Sequence, residues 1–142
     1  MTLTFHQRAL IVTGALLFLA GLLQGAIVQG FDNPRMALSA HLTAVQSGMA
    51  MMIVGAIWPA ARLGGCAAAI AAWTIVAGMV MLWIGLTAAA ATGASDSLPI
   101  AGAGHQADPL AESIVSIAVL GGSVLMTVGW SIFVIGLFRK MR

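Results

Sequence analysis

The sequence predicts an all-α integral membrane protein, in which four transmembrane helices form one bundle. Hydrophobic residues make up 61% of the 142 residues and charged residues only 7%, whereas a soluble globular domain carries roughly 25% charged residues. The mean hydropathy of the chain is +1.04. Four apolar runs are each long enough to cross a bilayer core of about 30 Å. The apolar excess must therefore face lipid.

The predicted spans follow one another within a single domain, residues 1–142. The runs are continuous and rich in Ala, Leu, Met and Gly, without the period-two alternation of β-barrel strands, so we expect helices. The first run is longer than the apolar part of a secretory signal and is predicted to be a retained helix. The predicted spans are residues 9–28, 36–58, 65–91 and 113–138, with one longer outer loop at residues 92–112.

The charges predict that both termini of this multi-pass protein face the cytoplasm. One side of the four-span arrangement carries five of the six basic residues, and the other carries Arg35 and all four acids. This asymmetry follows the positive-inside rule. The net charge of +2 comes from the chain ends and one turn, so it does not indicate nucleic-acid binding. The five basic residues are Arg8, Arg62, Arg139, Lys140 and Arg142.

Each span carries glycines seven residues apart, which return to nearly the same helix face. Small residues let transmembrane backbones approach closely, since no hydrophobic force acts between helices in lipid. Gly25 adds a small-xxx-small pair with Gly21 on the first span. We therefore expect a tight bundle, although abundant Gly also produces such pairs by chance. The stripes are Gly14 and Gly21, Gly48 and Gly55, Gly78 and Gly85, and Gly122, Gly129 and Gly136.

His41 is the main candidate for a functional residue. Asn33 is a good N-cap and Pro34 suits a first helical turn, so span two should begin there. His41 then lies about 10 Å inside the span, where an ionisable side chain is by default a functional-site hypothesis. Helical projection places small residues beside it and predicts an open floor for a ligand. These residues are Ala37, Ala44, Gly48, Met52 and Gly55.

Three roles are open for His41. Its imidazole is a standard ligand for the iron of a b-type haem, which would lie on the small residues. Alternatively, a neutral His41 forms a hydrogen bond to a backbone carbonyl, to Gln24 or to Gln29. A metal without a porphyrin is disfavoured, because no His or acid follows at the third or fourth position. Cys66 is the single cysteine, so neither a cysteine cage nor an internal disulfide is expected.

Other polar residues offer further candidates. Gln46 and Ser47 follow His41 on span two, and they either orient a polar substrate or form hydrogen bonds to neighbouring helices. The outer loop is rich in glycine, which allows close backbone approach. It is either a flexible connector or a lid that brings His105 or Asp108 towards His41.

Three stretches, residues 33–42, 55–59 and 98–105, resemble the hydroxylaminobenzene mutase family, and the resemblance extends over nearly the whole chain. It implies a membrane isomerase that converts hydroxylaminobenzene to 2-aminophenol in bacterial nitroarene breakdown. It also implies a multi-pass protein of the bacterial inner membrane. A more distant similarity is to styrene oxide isomerase, another small four-helix enzyme, and implies a trimer that binds haem b through a helix-two His. His41 matches that ligand. The distant family has Asn six residues after its His, where this chain has Ser47.

The resemblance implies transfer of the hydroxyl group from nitrogen to the ortho ring carbon. A ferric haem on His41 would act as Lewis acid, with Gln46 and Ser47 orienting the NHOH group. One alternative is an epoxide isomerase like styrene oxide isomerase. Another is a non-catalytic haem-binding or electron-transfer subunit, although His6 and His105 lie outside the spans and offer no second axial ligand. A third alternative is a scaffold or a small transporter, although the inverted repeat that is common in transporters is not visible in this sequence.

Overall fold

The computed structural model describes residues 3–139 and contains four long helices. All four are long and apolar enough to cross a membrane, which confirms the predicted all-helical class. Lys140 and Arg142, which contributed to the predicted orientation, lie outside the described residues. The helices are α1 (Phe5–Ala26), α2 (Pro34–Ile57), α3 (Gly65–Thr92) and α4 (Pro109–Arg139), with short 3₁₀ turns at Val28–Gly30 and Trp58–Ala61.

Two helices begin before the predicted apolar runs because polar residues cap them. At the start of α1, the Thr4 hydroxyl accepts a hydrogen bond from the Gln7 amide at 3.4 Å, and the Gln7 side chain accepts one from the Thr4 amide at 3.0 Å. This reciprocal capping box starts the helix at Phe5. At the start of α4, Asp108 accepts hydrogen bonds from the amides of Leu110 and Ala111. Hydropathy alone places both starts too late.

The helices pack in two tight pairs, α1 with α2 and α3 with α4. A Cβ atom added to Gly14 would lie 2.7 Å from the Gly48 carbonyl oxygen, and one added to Gly122 would lie 2.9 Å from that of Gly78. Both distances are too short for a real Cβ atom, so only glycine permits this backbone approach. All nine glycines of the predicted stripes are buried, which confirms that the stripes are helix contacts.

The two ends of the bundle differ in charge. The basic end comprises the start of α1, the link between α2 and α3, and the end of α4. The loop end comprises residues 27–33 and 93–108 with the adjoining helix ends, and it holds all four acids. Arg8 and Arg62 are exposed at the basic end, and Arg35 is exposed at the loop end. The predicted cytoplasmic location of the basic end rests on this asymmetry and stays a prediction.

The core has one apolar cluster near each end. At the basic end, the Trp58 ring stacks on Phe133, with centroids 5.6 Å apart and planes at 19°. At the loop end, Met36 and Val115 are among the fully buried side chains. The two clusters connect all four helices, because the tight pairs contribute residues to both.

The Glu112 carboxylate organises the outer loop. It accepts hydrogen bonds from the backbone amides of Ser95, Asp96 and Ala107, at 3.0 to 3.2 Å. The loop is also attached to the start of α2, because the Asn33 side-chain amide donates to the Ala101 carbonyl at 3.0 Å. The Gly-rich connector is therefore a folded segment with its own polar core.

The packing of α3 against α4 predicts opposite effects for two adjacent glycines. A Cβ added to Gly122 would lie 2.8 Å from the Leu82 amide nitrogen, whereas one added to Gly121 meets only the end of Met81 at 3.5 Å. We expect Gly122→Ala to lower the free energy of unfolding by about 1–3 kcal/mol. Gly121→Ala should leave it unchanged or raise it by up to about 1 kcal/mol, because alanine favours a helix. Denaturation in detergent micelles measures both values, and equal losses would contradict the predicted contact.

The Glu112 hydrogen bonds predict that Glu112→Gln opens the loop. The carboxamide of glutamine has only one acceptor oxygen, and its NH₂ group would face backbone N–H donors. Hydrogen exchange at the amides of Ser95, Asp96 and Ala107 should therefore accelerate about tenfold or more. Asp108→Asn is the matched control, because asparagine caps a helix as well as aspartate does. Mass-spectrometric exchange of peptides covering residues 93–108 checks both variants. Unchanged protection in Glu112→Gln would refute this account of the loop.

Candidate functional site

His41 lies in the seam between α1 and α2. Its Nδ1 atom is 2.7 Å from the carbonyl oxygen of Gly21 on α1. A carbonyl oxygen accepts but cannot donate, so Nδ1 carries the hydrogen and donates it. The side chain is half-buried. The hydrogen bond fixes both the direction of the ring and the position of its proton.

The ring fits into the seam because residue 25 is a glycine. A Cβ atom at Gly25 would lie 2.8 Å from both Cε1 and Nδ1 of His41. Gly21, one turn earlier, supplies the carbonyl acceptor and also approaches Ala44 and Val45 on α2. The small-xxx-small pair Gly21 and Gly25 therefore holds an imidazole as well as bringing two helices together.

In a neutral imidazole with its hydrogen on Nδ1, the second ring nitrogen, Nε2, carries the lone pair. Within residues 3–139, His41 makes a single side-chain hydrogen bond, the one through Nδ1. A histidine that binds a metal usually donates its other N–H to a carbonyl or carboxylate, which fixes the tautomer and raises the basicity of the ligating nitrogen. One of the alternatives stated for His41, the hydrogen bond to a backbone carbonyl, is therefore present. This bond leaves Nε2 as the ring nitrogen available to ligate iron.

The predicted open floor beside His41 is wrong. Ala37 and Ala44 are completely buried, and Gly48 and Gly55 are buried as well. A Cβ at Gly48 would lie 2.6 Å from the Gly14 carbonyl oxygen, because the α1 backbone fills that face. Small residues beside the histidine bring the neighbouring helix close, and they leave no room for a ligand on that face.

Open space lies instead at the outer end of the seam. A cavity of about 460 Å³, the α1–α2 cavity, begins at Gly25, next to the His41 ring. Gln29, considered above as a partner of His41, lines this cavity, as does Arg35, the one basic residue of the loop end among those described. The full lining is Gly25, Ala26, Val28, Gln29, Pro34, Arg35 and Leu38.

Gln46 and Ser47 lie on different faces of α2. The Gln46 side chain is exposed and the Ser47 side chain is buried. Helical geometry rotates Gln46 by about 140° and Ser47 by about 120° from His41, in opposite senses. Their proposed contact with a substrate stays a prediction.

A buried polar network between α1 and α3 was not predicted. The indole N–H of Trp83 donates to the Gln24 side-chain oxygen at 2.8 Å, and the Gln24 amide donates to the Thr87 hydroxyl at 3.1 Å. The Gln24 side chain therefore bonds to α3, and it forms no hydrogen bond to the His41 imidazole. The sequence contained a usable signal, because Trp83 and Thr87 are four residues apart and so share a helix face.

The outer loop folds back onto the start of α2, but it does not reach His41. The His105 ring nitrogen Nε2 donates to the Asp32 carbonyl oxygen at 3.2 Å. Asp32 precedes His41 by a helical rise of about 12 Å, counted from Asn33. Asp108 caps α4 and is exposed. The loop is thus a lid over the loop end of the bundle, and its predicted delivery of His105 or Asp108 to His41 is not seen.

These features define a small helical protein with four helices able to cross a membrane. His41 lies well inside one of these helices, and among residues 3–139 it has a hydrogen-bond partner at Nδ1 only. The sequence profile of the styrene oxide isomerase family matches residues 6–138. The chain belongs to the styrene oxide isomerase family. No solved structure matches the chain.

Two curated relatives belong to the predicted mutase group, and both come from Ectopseudomonas oleovorans. Hydroxylaminobenzene mutase HabA is 33% identical over 134 residues, which are 94% of this chain and 99% of HabA. Hydroxylaminobenzene mutase HabB is 35% identical over 122 residues, which are 85% of this chain and 74% of HabB. The family and the names of these relatives point to an isomerase.

Proposed function

We propose that this protein isomerises hydroxylaminobenzene to 2-aminophenol, and that His41 would hold a haem b through Nε2. The similarity to two hydroxylaminobenzene mutases along most of the chain supports the reaction. The observation that carries the proposal is the hydrogen bond from His41 Nδ1 to the Gly21 carbonyl, because it presents Nε2 as the ligating atom.

The proposed reaction is redox-neutral and needs no second substrate. The N–O bond of the hydroxylamine breaks, a C–O bond forms at the ortho carbon, the ortho carbon loses its proton and the nitrogen gains one. In bulk water a cation formed by N–O cleavage is captured mainly at the para carbon. Selective formation of the ortho isomer therefore requires a site from which water is excluded.

The residues of this chain supply orientation and exclusion of water. His41 provides Nε2, and the Gly21 carbonyl holds the ring so that this atom keeps its lone pair. The exposed side chains beside His41 on α2 are Leu38 and Leu42, so lipid or protein, and not water, surrounds them within a membrane. When bound, ferric haem supplies a Lewis-acidic iron for activation of the hydroxylamine. An apolar aromatic substrate partitions into the same environment.

Gln46 and Ser47 remain our candidates for orienting the NHOH group. The exposed Gln46 lies on the outer surface of a single copy of the chain. A neighbouring copy in the trimer that the family resemblance implies would place further groups against this surface. We therefore propose a homotrimer, which native mass spectrometry in a mild detergent tests directly.

An epoxide isomerase is the second candidate, since the family profile carries the name styrene oxide isomerase. Both reactions move oxygen within one molecule and place similar demands on the site. Purified protein supplied with each substrate separately distinguishes them. We expect faster turnover of hydroxylaminobenzene, and exclusive conversion of styrene oxide to an aldehyde would overturn that assignment.

The proposal predicts that His41→Ala abolishes both haem binding and mutase activity. Detergent-purified wild-type protein should show a Soret absorption band at about one haem per chain, because Nε2 provides the ligand. His105→Ala is the control, since this imidazole bonds to the Asp32 carbonyl just before α2 and does not reach His41. We expect it to keep the band and most of the activity. A colourless wild-type protein that makes 2-aminophenol at full rate would refute the role of haem while leaving the reaction intact.

The contact between Gly25 and the His41 ring predicts that a substitution at Gly25 weakens haem binding. In Gly25→Ala the new methyl group displaces the His41 ring, so haem affinity should fall by about 10- to 100-fold, as with other losses of support for a ligating histidine. Gly30→Ala introduces the same atoms where a Cβ meets nothing within 4 Å, and its haem affinity should equal that of wild type. Titration of the apoproteins with haem, followed at the Soret band, measures these affinities. Equal affinity in both variants would contradict the proposed ring position.

A further inference from the structure

A second cavity lies at the basic end, far from His41. It has a volume of about 400 Å³. The rise of α2 from His41 to Trp58 separates the two sites by about 26 Å. The proposed isomerase reaction uses none of the residues in this basic-end cavity. Its lining consists of Thr4, His6, Trp58, Pro59, Arg62, Leu63, Gly65 and Ala68.

Arg62 holds an unusual backbone conformation at this cavity. Its φ of 47° and ψ of 34° are left-handed, and among the described residues no other non-glycine residue has a positive φ. This conformation favours glycine, and glycines do occupy positions 64 and 65. A non-glycine residue in this strained conformation is grounds for a functional hypothesis. Arg62 is exposed, so its guanidinium is accessible from outside the bundle.

The positive charge of Arg62 has no acidic counterpart at its end of the protein. The acids of the chain are Asp32, Asp96, Asp108 and Glu112, and all lie at the loop end. Glu112 is separated from Gly136, which packs against Ala61, by about 36 Å along α4. Within residues 3–139, no acidic side chain therefore neutralises Arg62, which leaves its guanidinium available to an external anion.

The other polar groups of the cavity suit a phosphate oxygen. The Thr4 hydroxyl accepts a hydrogen bond from Gln7, which leaves its own proton free to donate. His6 lies against Trp58, with ring centroids 6.2 Å apart, and provides a ring N–H. Donors from α1 and a cation from the α2–α3 link thus converge on one cavity. Arg62, as a planar fork of donors, is well matched to a phosphate group.

The position of the cavity favours a lipid headgroup over free phosphate as the source of the phosphate group. The cavity lies where three helix ends meet, at the level of the membrane–water boundary if the helices span a bilayer. Its remaining lining, including Leu63 and Ala68, is apolar and suits the glycerol and upper acyl region of a lipid. We propose that the basic-end cavity binds the phosphate group of an anionic phospholipid, with Arg62 as the charged ligand and Thr4 and His6 as hydrogen-bond donors.

Native mass spectrometry of the detergent-purified full chain, titrated with phosphatidylglycerol, tests the proposal. Arg62→Gln should weaken phosphatidylglycerol binding by about fivefold, the effect of one basic residue at an anionic membrane surface. Arg8→Gln is the matched control, because Arg8 is exposed at the same end but does not line the cavity. It should change binding by less than about twofold. Equal losses in both variants would show diffuse attraction and overturn the cavity site.

Further measurements distinguish a lipid phosphate from free phosphate, and a second variant controls for misfolding. Phosphatidylcholine should bind wild-type protein more weakly than phosphatidylglycerol, and inorganic phosphate at equal concentration should not displace the lipid. Displacement by inorganic phosphate, or equal binding of both lipids, would overturn the assignment to an anionic lipid. Arg62→Gly removes the side chain at a backbone geometry that glycine adopts freely. This variant should stay folded and bind phosphatidylglycerol about fivefold more weakly than wild type, as Arg62→Gln does. Binding at the wild-type strength would refute the role of Arg62.

Discussion

The close approach of paired helices at glycine is the constraint on which the rest of the structure depends. In lipid, helices gain nothing from hydrophobic association, so backbone contact at Gly14, Gly48, Gly78 and Gly122 supplies much of their attraction. The same approach determines the chemistry of the site. Gly21 brings α1 close enough for its carbonyl to accept a hydrogen bond from His41 Nδ1. The imidazole is therefore oriented by the packing that holds the bundle together.

The two buried glutamines of α1 each have a partner in another helix. The Gln7 side chain donates to the Gly55 carbonyl at 3.2 Å, linking α1 and α2, and Gln24 joins α1 to α3 through Trp83. Such pairs are typical of membrane interiors, where an unsatisfied polar group is costly. Against this background, Nε2 of the partly exposed His41 is notable, because the ring is fixed through its other nitrogen only. This difference distinguishes His41, a candidate ligand, from the glutamines, whose side chains hold the helices together.

Much of the fold was predictable from the sequence, because its causes are local. Apolar run lengths predict four helices, and Asn33 before Pro34 marks the start of α2, where the Asn33 side chain accepts the Met36 amide at 3.1 Å. The surroundings of His41 were less predictable. Periodicity shows which residues share a face of α2, but not which helix covers that face, so the buried Ala44 and Gly48 were expected to be open. The hydrogen bonds of Glu112 likewise join residues brought together only by the folded loop.

The location of His41 at a seam, and not at the centre of the bundle, has a consequence for any ligand of Nε2. The half-buried ring is flanked on α2 by the exposed Leu38 and Leu42, while the small face of the helix is filled by α1. We infer that a ligand meets this chain on one side only, so lipid or a second copy must cover its other side. A small metal ion bound by this chain alone would need several protein ligands close together. Within residues 3–139, no group of three His, Cys, Asp or Glu side chains provides such a set.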